Sequence, residues 1–348
     1  RDAHPACRNV RDFIRLAVDA DVGGDVPVKG VKVRCHTVVK WSTAFTDENG
    51  YYSMGSKFRI GPHYAVVFDN SQGFTIWGNW GPFAAANYNM GWHSKGGHDR
   101  TFGTNAKAWD WCSVNNAGFE YYQNAKKDGI GLPPHNPRIW VFRHQSNASC
   151  APMLRRVWHP IGYSSNSGWS NFFINITAGR LLTYTNTLLK FALPDIVIGT
   201  GGGYNTYDIY ESVNHELSHA SHFNKVGSAF WAKYVNYIIT YGKKYDHPYG
   251  DASCNNSGFC GVGEMWGYAM GYIRTYEKYQ QKPKNGQSKW FQPNLLYDLM
   301  TEKILTKKQI FDCLSSDVTS HALLKQKMIS RYPSKKDSII AKFSRYGF

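Results

Sequence analysis

The segment Asn214-His215-Glu216-Leu217-Ser218-His219 constrains this chain more than any other stretch of its 348 residues. Residues four apart on an α-helix share one face, about 6 Å apart along the axis. Two imidazoles so placed reach a single metal ion at about 2 Å each, so the pattern predicts a helix here. Glu216 is rotated by about 100° from His215, which carries its carboxylate beside the metal instead of onto it. From there it can take a proton from water and pass it to a leaving amine. A chance match to this pattern in a chain of this composition has a probability of roughly one in a hundred.

The context suits an active-site helix. Val213 and Leu217 form an apolar stripe. Pro194-Asp195-Ile196-Val197-Ile198-Gly199 reads as a strand running into Gly201-Gly202-Gly203, and a helix begins near Asp208 and continues past His222. The three glycines read as a flexible turn that lets the strand approach the helix. No Lys-Ser/Thr pair follows them, so a phosphate loop is disfavoured. The strand is either a core strand or an edge on which an extended peptide pairs.

A catalytic zinc site needs a third protein ligand and an open position. Only Glu264, Glu277 and Glu302 among the glutamates follow His219. Glu277 and Glu302 stand among Lys, Tyr and Gln and read as solvated positions. Glu264 opens a helix of apolar and aromatic residues, where a carboxylate either pairs with a cation or binds metal. It is the expected third ligand. His222 shares the face of His215 but lies about 10 Å further along the axis, too far for the same ion. Cleft lining or helix capping is expected of it.

His215-Glu216-Leu217-Ser218-His219 followed by Gly263-Glu264-Met265-Trp266 resembles the gluzincin group of zinc peptidases, over about residues 195–280. The resemblance implies zinc held by His215, His219 and Glu264, with Glu216 as the base for hydrolysis of peptide or protein substrates. It further implies a Tyr or His facing the tetrahedral oxyanion. Tyr268 is taken for that catalytic role, with Tyr272, His247 and Tyr249 as other candidates. Glu264 follows His219 by 45 residues, more than in thermolysin-like members, and Tyr268 stands four residues after Glu264 where an Asp is usual.

Upstream, alternation of Val31, Val33 and Cys35 with Lys32 and Arg34 predicts a half-buried strand. A turn follows at Asp47-Glu48-Asn49-Gly50. Tyr51-Tyr52, Phe58 to Ile60, Tyr64 to Phe68 and Phe74 to Trp77 read as further strands, making a small β module over residues 25–80. Its Gly30-Val31-Lys32-Val33, Thr46 to Tyr52 and Tyr64 to Phe68 resemble the transthyretin-like, carboxypeptidase-regulatory β-sandwich, usually an accessory module. Residues 8–20 space Val10, Phe13, Ile14 and Ala17 as a short amphipathic helix. Residues 83–103 read as a linker or long loop. Helices are expected over 106–127 and at the C-terminus around Ile339, Ile340 and Phe343, a strand over 139–142, and a helical or mixed segment over 181–191.

The fold class is therefore α+β. A β-sandwich module spans residues 1–82, and a zincin-like domain with a mostly helical C-terminal half spans 83–348. Seven cysteines without paired CxxC spacing suggest bridges Cys254–Cys260, Cys112–Cys150 and Cys7–Cys35, with Cys313 left over. Together with a start at Arg1, this gives an expectation of a bacterial secreted or cell-envelope protein whose targeting segment or lipid anchor has been removed. No apolar run could span a bilayer. The net charge of +15 is spread along the chain and no nucleic-acid motif accompanies it, so nucleic acid is not an expected partner. The alternative to a peptidase is an inactive zincin-like protein that binds peptide or glycan. Oligomeric state is not legible.

Overall fold

The computed structural model describes residues 9–17, 24–78, 84–143, 149–161, 193–242, 249–282 and 289–348. The expected segment over 181–191, Cys7 and His247 lie outside them. The fold is α+β, with β-sheets in the N-terminal part and helices dominating the C-terminal half. No helix among the described residues is long and apolar enough to cross a membrane.

The chain divides into two compact units. The first comprises residues 1–120, 135–146 and 198–209, and the second 121–134, 147–197 and 210–348. The β-structure therefore continues beyond residue 82. In chain order the strands are β1 (Asn9–Ala17), β2 (Asp25–Pro27), β3 (Val31–His36), β4 (Trp41–Phe45), β5 (Tyr51–Lys57), β6 (His63–Asn70), β7 (Thr75–Trp77), β8 (Asn87–Trp92) and β9 (Arg100–Phe102). Helix α1 (Trp109–Asp128), β10 (Arg138–Phe142), α2 (Leu154–Ile161) and β11 (Ile196–Gly199) follow. One sheet has the order β2-β1-β5 with β9 on β1; the other runs β11-β10-β7-β6-β3-β4 with β8 on β6.

The strand β3 alternates buried Val31, Val33 and Cys35 with half-buried Lys32, Arg34 and His36, as its period-2 pattern requires. Gly50 closes the expected turn at φ +73°, its amide donating to the Asp47 carbonyl. Helix α1 is tied to the β2–β3 connection by two buried amides. Asn116 accepts from the Lys29 amide at 2.9 Å and donates to the Pro27 carbonyl at 2.8 Å, while Asn115 donates to the Lys29 carbonyl.

Three expectations are corrected. Residues 9–17 form β1, not a helix, and residues 8 and 18–20 of that expectation lie outside the described residues. Pairing to β5, β2 and β9 uses its backbone groups in place of helical bonds. Two-residue alternation then puts Phe13 and Arg15 together, 4.7 Å from guanidinium to ring, and turns Ile14 into the core. Residues 83–103 are not a plain linker, since β8 pairs antiparallel with β6 and β9 parallel with β1. The mostly half-exposed side chains of β8 lack the alternation that betrays a strand. Phe58 to Ile60 form no strand. β5 ends at Lys57, and Phe58 is buried where the chain turns through Gly61 and Pro62.

The cysteine expectation also fails among the described residues, where Cys35, Cys112, Cys150, Cys254, Cys260 and Cys313 are all free. Cys260 lies inside a helix with its thiol 4.0 Å from the Tyr249 carbonyl, and it forms no bridge to Cys254.

In the second unit the helices are α3 (Thr206–Gly242), α4 (Ser257–Tyr279), α5 (Asn294–Thr301), α6 (Lys307–Cys313), α7 (His321–Arg331) and α8 (Lys336–Arg345). Thr306 and Gln309 form a reciprocal capping box on α6 and Ser320 caps α7. The amphipathic α8 buries Ile339 and Phe343, as its spacing predicts. Arg274 on α4 meets Asp128 at 2.6 Å.

Helix α3 is broken at Gly227, whose φ of 82° and ψ of 174° are non-helical. On a continuous helix Tyr234, 15 residues after His219, would stand about 22 Å along the axis. The break folds the second arm back, and the Tyr234 ring comes to 5.8 Å from the His219 ring. A Cβ at Gly227 meets nothing within 4 Å, so a substitution there is opposed by backbone conformation alone. Gly227→Ala is expected to lower the unfolding free energy by about 1–3 kcal/mol in urea titration, with a loss of metal affinity.

Candidate metal centre

The first arm of α3 begins with a reciprocal cap in which Asn205 accepts from the Asp208 amide and Asp208 accepts from the Asn205 amide. Further along, His215, Glu216 and His219 are all buried. The two Nε2 atoms of His215 and His219 converge to 2.9 Å. Glu264, from the middle of α4, brings Oε2 to 3.5 Å from each of them. The metal-binding atoms of the three residues lie within 4.8 Å of one another, so the group could hold a metal ion.

Glycines make this meeting possible. A Cβ on Gly267 would stand 2.6 Å from His219 Nε2 and 3.2 Å from His215 Nε2. Gly263 and Gly271, one turn to either side, press on the Tyr234 ring and on Glu211. This face of α4 therefore carries no side chain where it meets the imidazoles, and Glu264 reaches around its edge.

The donor set can be tested against a resident ion. A four-coordinate zinc with bonds of about 2.0–2.1 Å has ligand–ligand edges of about 3.4 Å. The two His–Glu distances match this, and the His–His distance is shorter by about half an ångström. Glu264 Oε2 is buried and accepts no hydrogen bond although it faces both imidazoles. Two nitrogens and one carboxylate oxygen around an orphaned acceptor fit a divalent ion.

Burial pushes the His215 imidazole down to about 4, with His219 adding to the effect, so this nitrogen stays neutral and available as a ligand well below neutral pH. Burial alone would raise the Glu264 carboxyl, but His219 and His215 outweigh it and hold it below the usual range. Glu216 has no such support. Burial, and then the Glu264 charge, push it well above an ordinary carboxylate. Its Oε1 lies 3.8 Å from His215 Nε2 and its Oε2 is buried without a hydrogen bond.

Around the ligands the site is aromatic. Tyr234 donates a short hydrogen bond from its hydroxyl to Glu264 Oε1, which fixes the carboxylate. Trp231 packs against His219 at 5.8 Å and donates to the Ala151 carbonyl at 3.0 Å. Tyr268 sets its ring edge-on to His215 at 4.3 Å and shares a 2.6 Å hydrogen bond with the Tyr249 hydroxyl. Tyr272 stands 5.9 Å from Tyr268. Tyr268 stands one turn after Glu264, and His219 Nδ1 is buried without a hydrogen-bond partner. Neither Tyr234 nor Trp231 carries a motif. The only signal for them is Gly227, a helix breaker between the histidines and the tyrosine.

His222 is not one of the converging ligands. It is fully buried against Phe230 and Trp231, neither lining a cleft nor capping a helix, and both ring nitrogens lack partners. Glu277 and Glu302 are used elsewhere, on Arg274 and Lys307 and on Lys342. The strand β11 is wholly buried. Its outer backbone is already taken by Cys150, which exchanges 2.8 Å and 3.0 Å bonds with Val197, and by Met153, which donates to Asp195. That edge is closed to an added peptide strand.

Compared with family models, with curated proteins and with solved structures, the chain shows no match, so the reading of this centre rests on its geometry.

Two outcomes follow from this arrangement. Gly267→Ala is expected to abolish stoichiometric metal, measured on the purified protein by elemental analysis. Burial, helped by His219 and Lys225, pushes His222 down to about 3. The unfolded chain takes up a proton near pH 6.5 that the native state refuses, so stability falls as pH drops from about 6.5 toward 3. His222→Leu is expected to flatten this fall in urea midpoints by about one proton.

Proposed function

We propose that this protein is a zinc-dependent peptidase in which Glu216 is the general base. The observation that carries the reading is the convergence of Glu264 Oε2 on both His215 and His219, with the Glu216 carboxylate alongside the ligand set and not in it. His215, His219 and Glu264 would hold the ion, and two imidazole nitrogens with one carboxylate suit zinc. When bound, zinc supplies a Lewis acid that polarises the scissile carbonyl and lowers the pKa of water to about 7.

The remaining work falls to side chains. Glu216 takes a proton from the attacking water, whose oxygen adds to the carbonyl carbon. As the carbon–nitrogen bond breaks, Glu216 delivers that proton to the departing amine. A carboxyl with a raised pKa is suited to both halves of this transfer near neutral pH. Tyr234 keeps Glu264 from rotating away. The Tyr268 and Tyr249 hydroxyls, joined by one hydrogen bond, would supply the phenolic donors to the developing oxyanion. The chemistry favours amide hydrolysis over a silent binding role, because a site that only holds metal has no use for a buried Glu216 carboxylate with one oxygen left without a hydrogen bond.

Glu216→Gln is expected to lower kcat on an unstructured peptide substrate by about 100- to 10,000-fold while metal content stays at one ion per chain. Cleavage at the parent rate would defeat the hydrolase reading. His215→Ala is expected to lose both metal and activity, with metal content read independently of turnover.

A further inference from the structure

We propose that Lys289 is a carboxylate anchor, so that this site takes peptides bearing a carboxylate close to the scissile bond. The inference rests on the hydrolase reading and adds to it the class of substrate.

The Lys289 ammonium lies 4.4 Å from the centre of the Tyr268 ring, 5.0 Å from that of Tyr249 and 6.0 Å from that of Phe291. Tyr268 is itself the ring against His215, so one aromatic side chain separates the lysine from the metal-binding group. The segment is pinned. Trp290 donates to the Tyr249 carbonyl at 3.2 Å, and Phe291 is fully buried with its ring stacked on Tyr268 at 5.7 Å.

Aromatic faces orient an ammonium but offer it no strong hydrogen-bond acceptor. Lys289 is half-buried, and among the described residues no carboxylate stands within ion-pair distance of it. Glu264 is the acidic group whose field reaches it, and that carboxylate is committed to His215, His219 and Tyr234. Other lysines of the same unit behave differently. Lys342, with 9% of its side chain exposed, sits on Glu302 at 2.5 Å, and Lys307, at 16%, sits on Glu277 and Asp128. A partly desolvated cation held beside a reactive centre with its donors unspent is matched by an anion that arrives with the ligand. On a peptide that anion is a carboxylate, either the C-terminus or an acidic side chain.

The test uses the full chain carrying Glu216→Gln, which stops turnover and keeps the metal ligands. The zinc-loaded protein is titrated calorimetrically with three forms of one N-acetylated peptide. These are the free C-terminal acid, the C-terminal amide, and the amide with one neutral residue replaced by Glu. A carboxylate-bearing form is expected to bind at least tenfold more tightly than the plain amide, and whichever form does so names the source. Adding Lys289→Gln is expected to erase the preference, and Lys289→Arg to keep it. Equal affinity for all three peptides, or a preference that survives Lys289→Gln, overturns the inference. Binding is read without turnover, so such a failure leaves the hydrolase reading to be judged by cleavage alone.

Discussion

The close approach of α3 and α4 is the constraint on which the centre depends. An imidazole pair one turn apart is easy to encode, but a third ligand must come from elsewhere in the chain and arrive within a few tenths of an ångström. Gly263, Gly267 and Gly271 remove the side chains that would keep the two helices apart, and Gly267 in particular leaves the space that both Nε2 atoms occupy. The Gly227 break supplies the other half of the arrangement. It returns the α3 chain to the site, so that Tyr234 can hold the Glu264 carboxylate from the side opposite the histidines. Each of these glycines costs backbone entropy on folding, and that cost is offset only by the contacts it permits.

Electrostatics give the same picture. Two carboxylates and two imidazoles are buried within one small volume, with buried nitrogen and oxygen atoms left without hydrogen bonds. A dense core does not tolerate such groups for stability. The ring of Tyr, Trp and Phe around them lowers the local dielectric, which magnifies both the penalty for an unpaired charge and the influence of any ion that relieves it. His222 lies in the same aromatic layer and illustrates the opposite outcome, an imidazole kept neutral by burial and given no partner.

What the sequence reveals depends on how local the cause is. His215, Glu216 and His219 are legible because a helix period alone fixes their relation. Glu264 is legible by elimination among the glutamates, since only Glu264, Glu277 and Glu302 follow His219 and Glu264 alone of these stands in an apolar setting. Strands with strict alternation, such as β3, can be read directly, whereas β1 and β8 are set by partners distant in the chain. The β1 segment satisfies a helical pattern equally well until its neighbours claim its backbone. Tyr234, Trp231 and Lys289 owe their places to a broken helix and a pinned loop, and no spacing rule announces either. The cysteines mislead because count and separation say nothing of direction. With Cys260 turned inward from a helix, the expectation of export loses the bridges on which it leaned.

The split origin of the ligand set also orders events during folding. His215 and His219 become neighbours as soon as one helical turn forms, but Glu264 joins them only after the chain has closed a loop of about 45 residues and seated α4. Before that, the chain can offer an ion only two nitrogens and a weak grip. Tight retention of an ion by these three residues would thus come late and all at once, and a bound ion would work as a reversible staple between two helices that no disulfide joins.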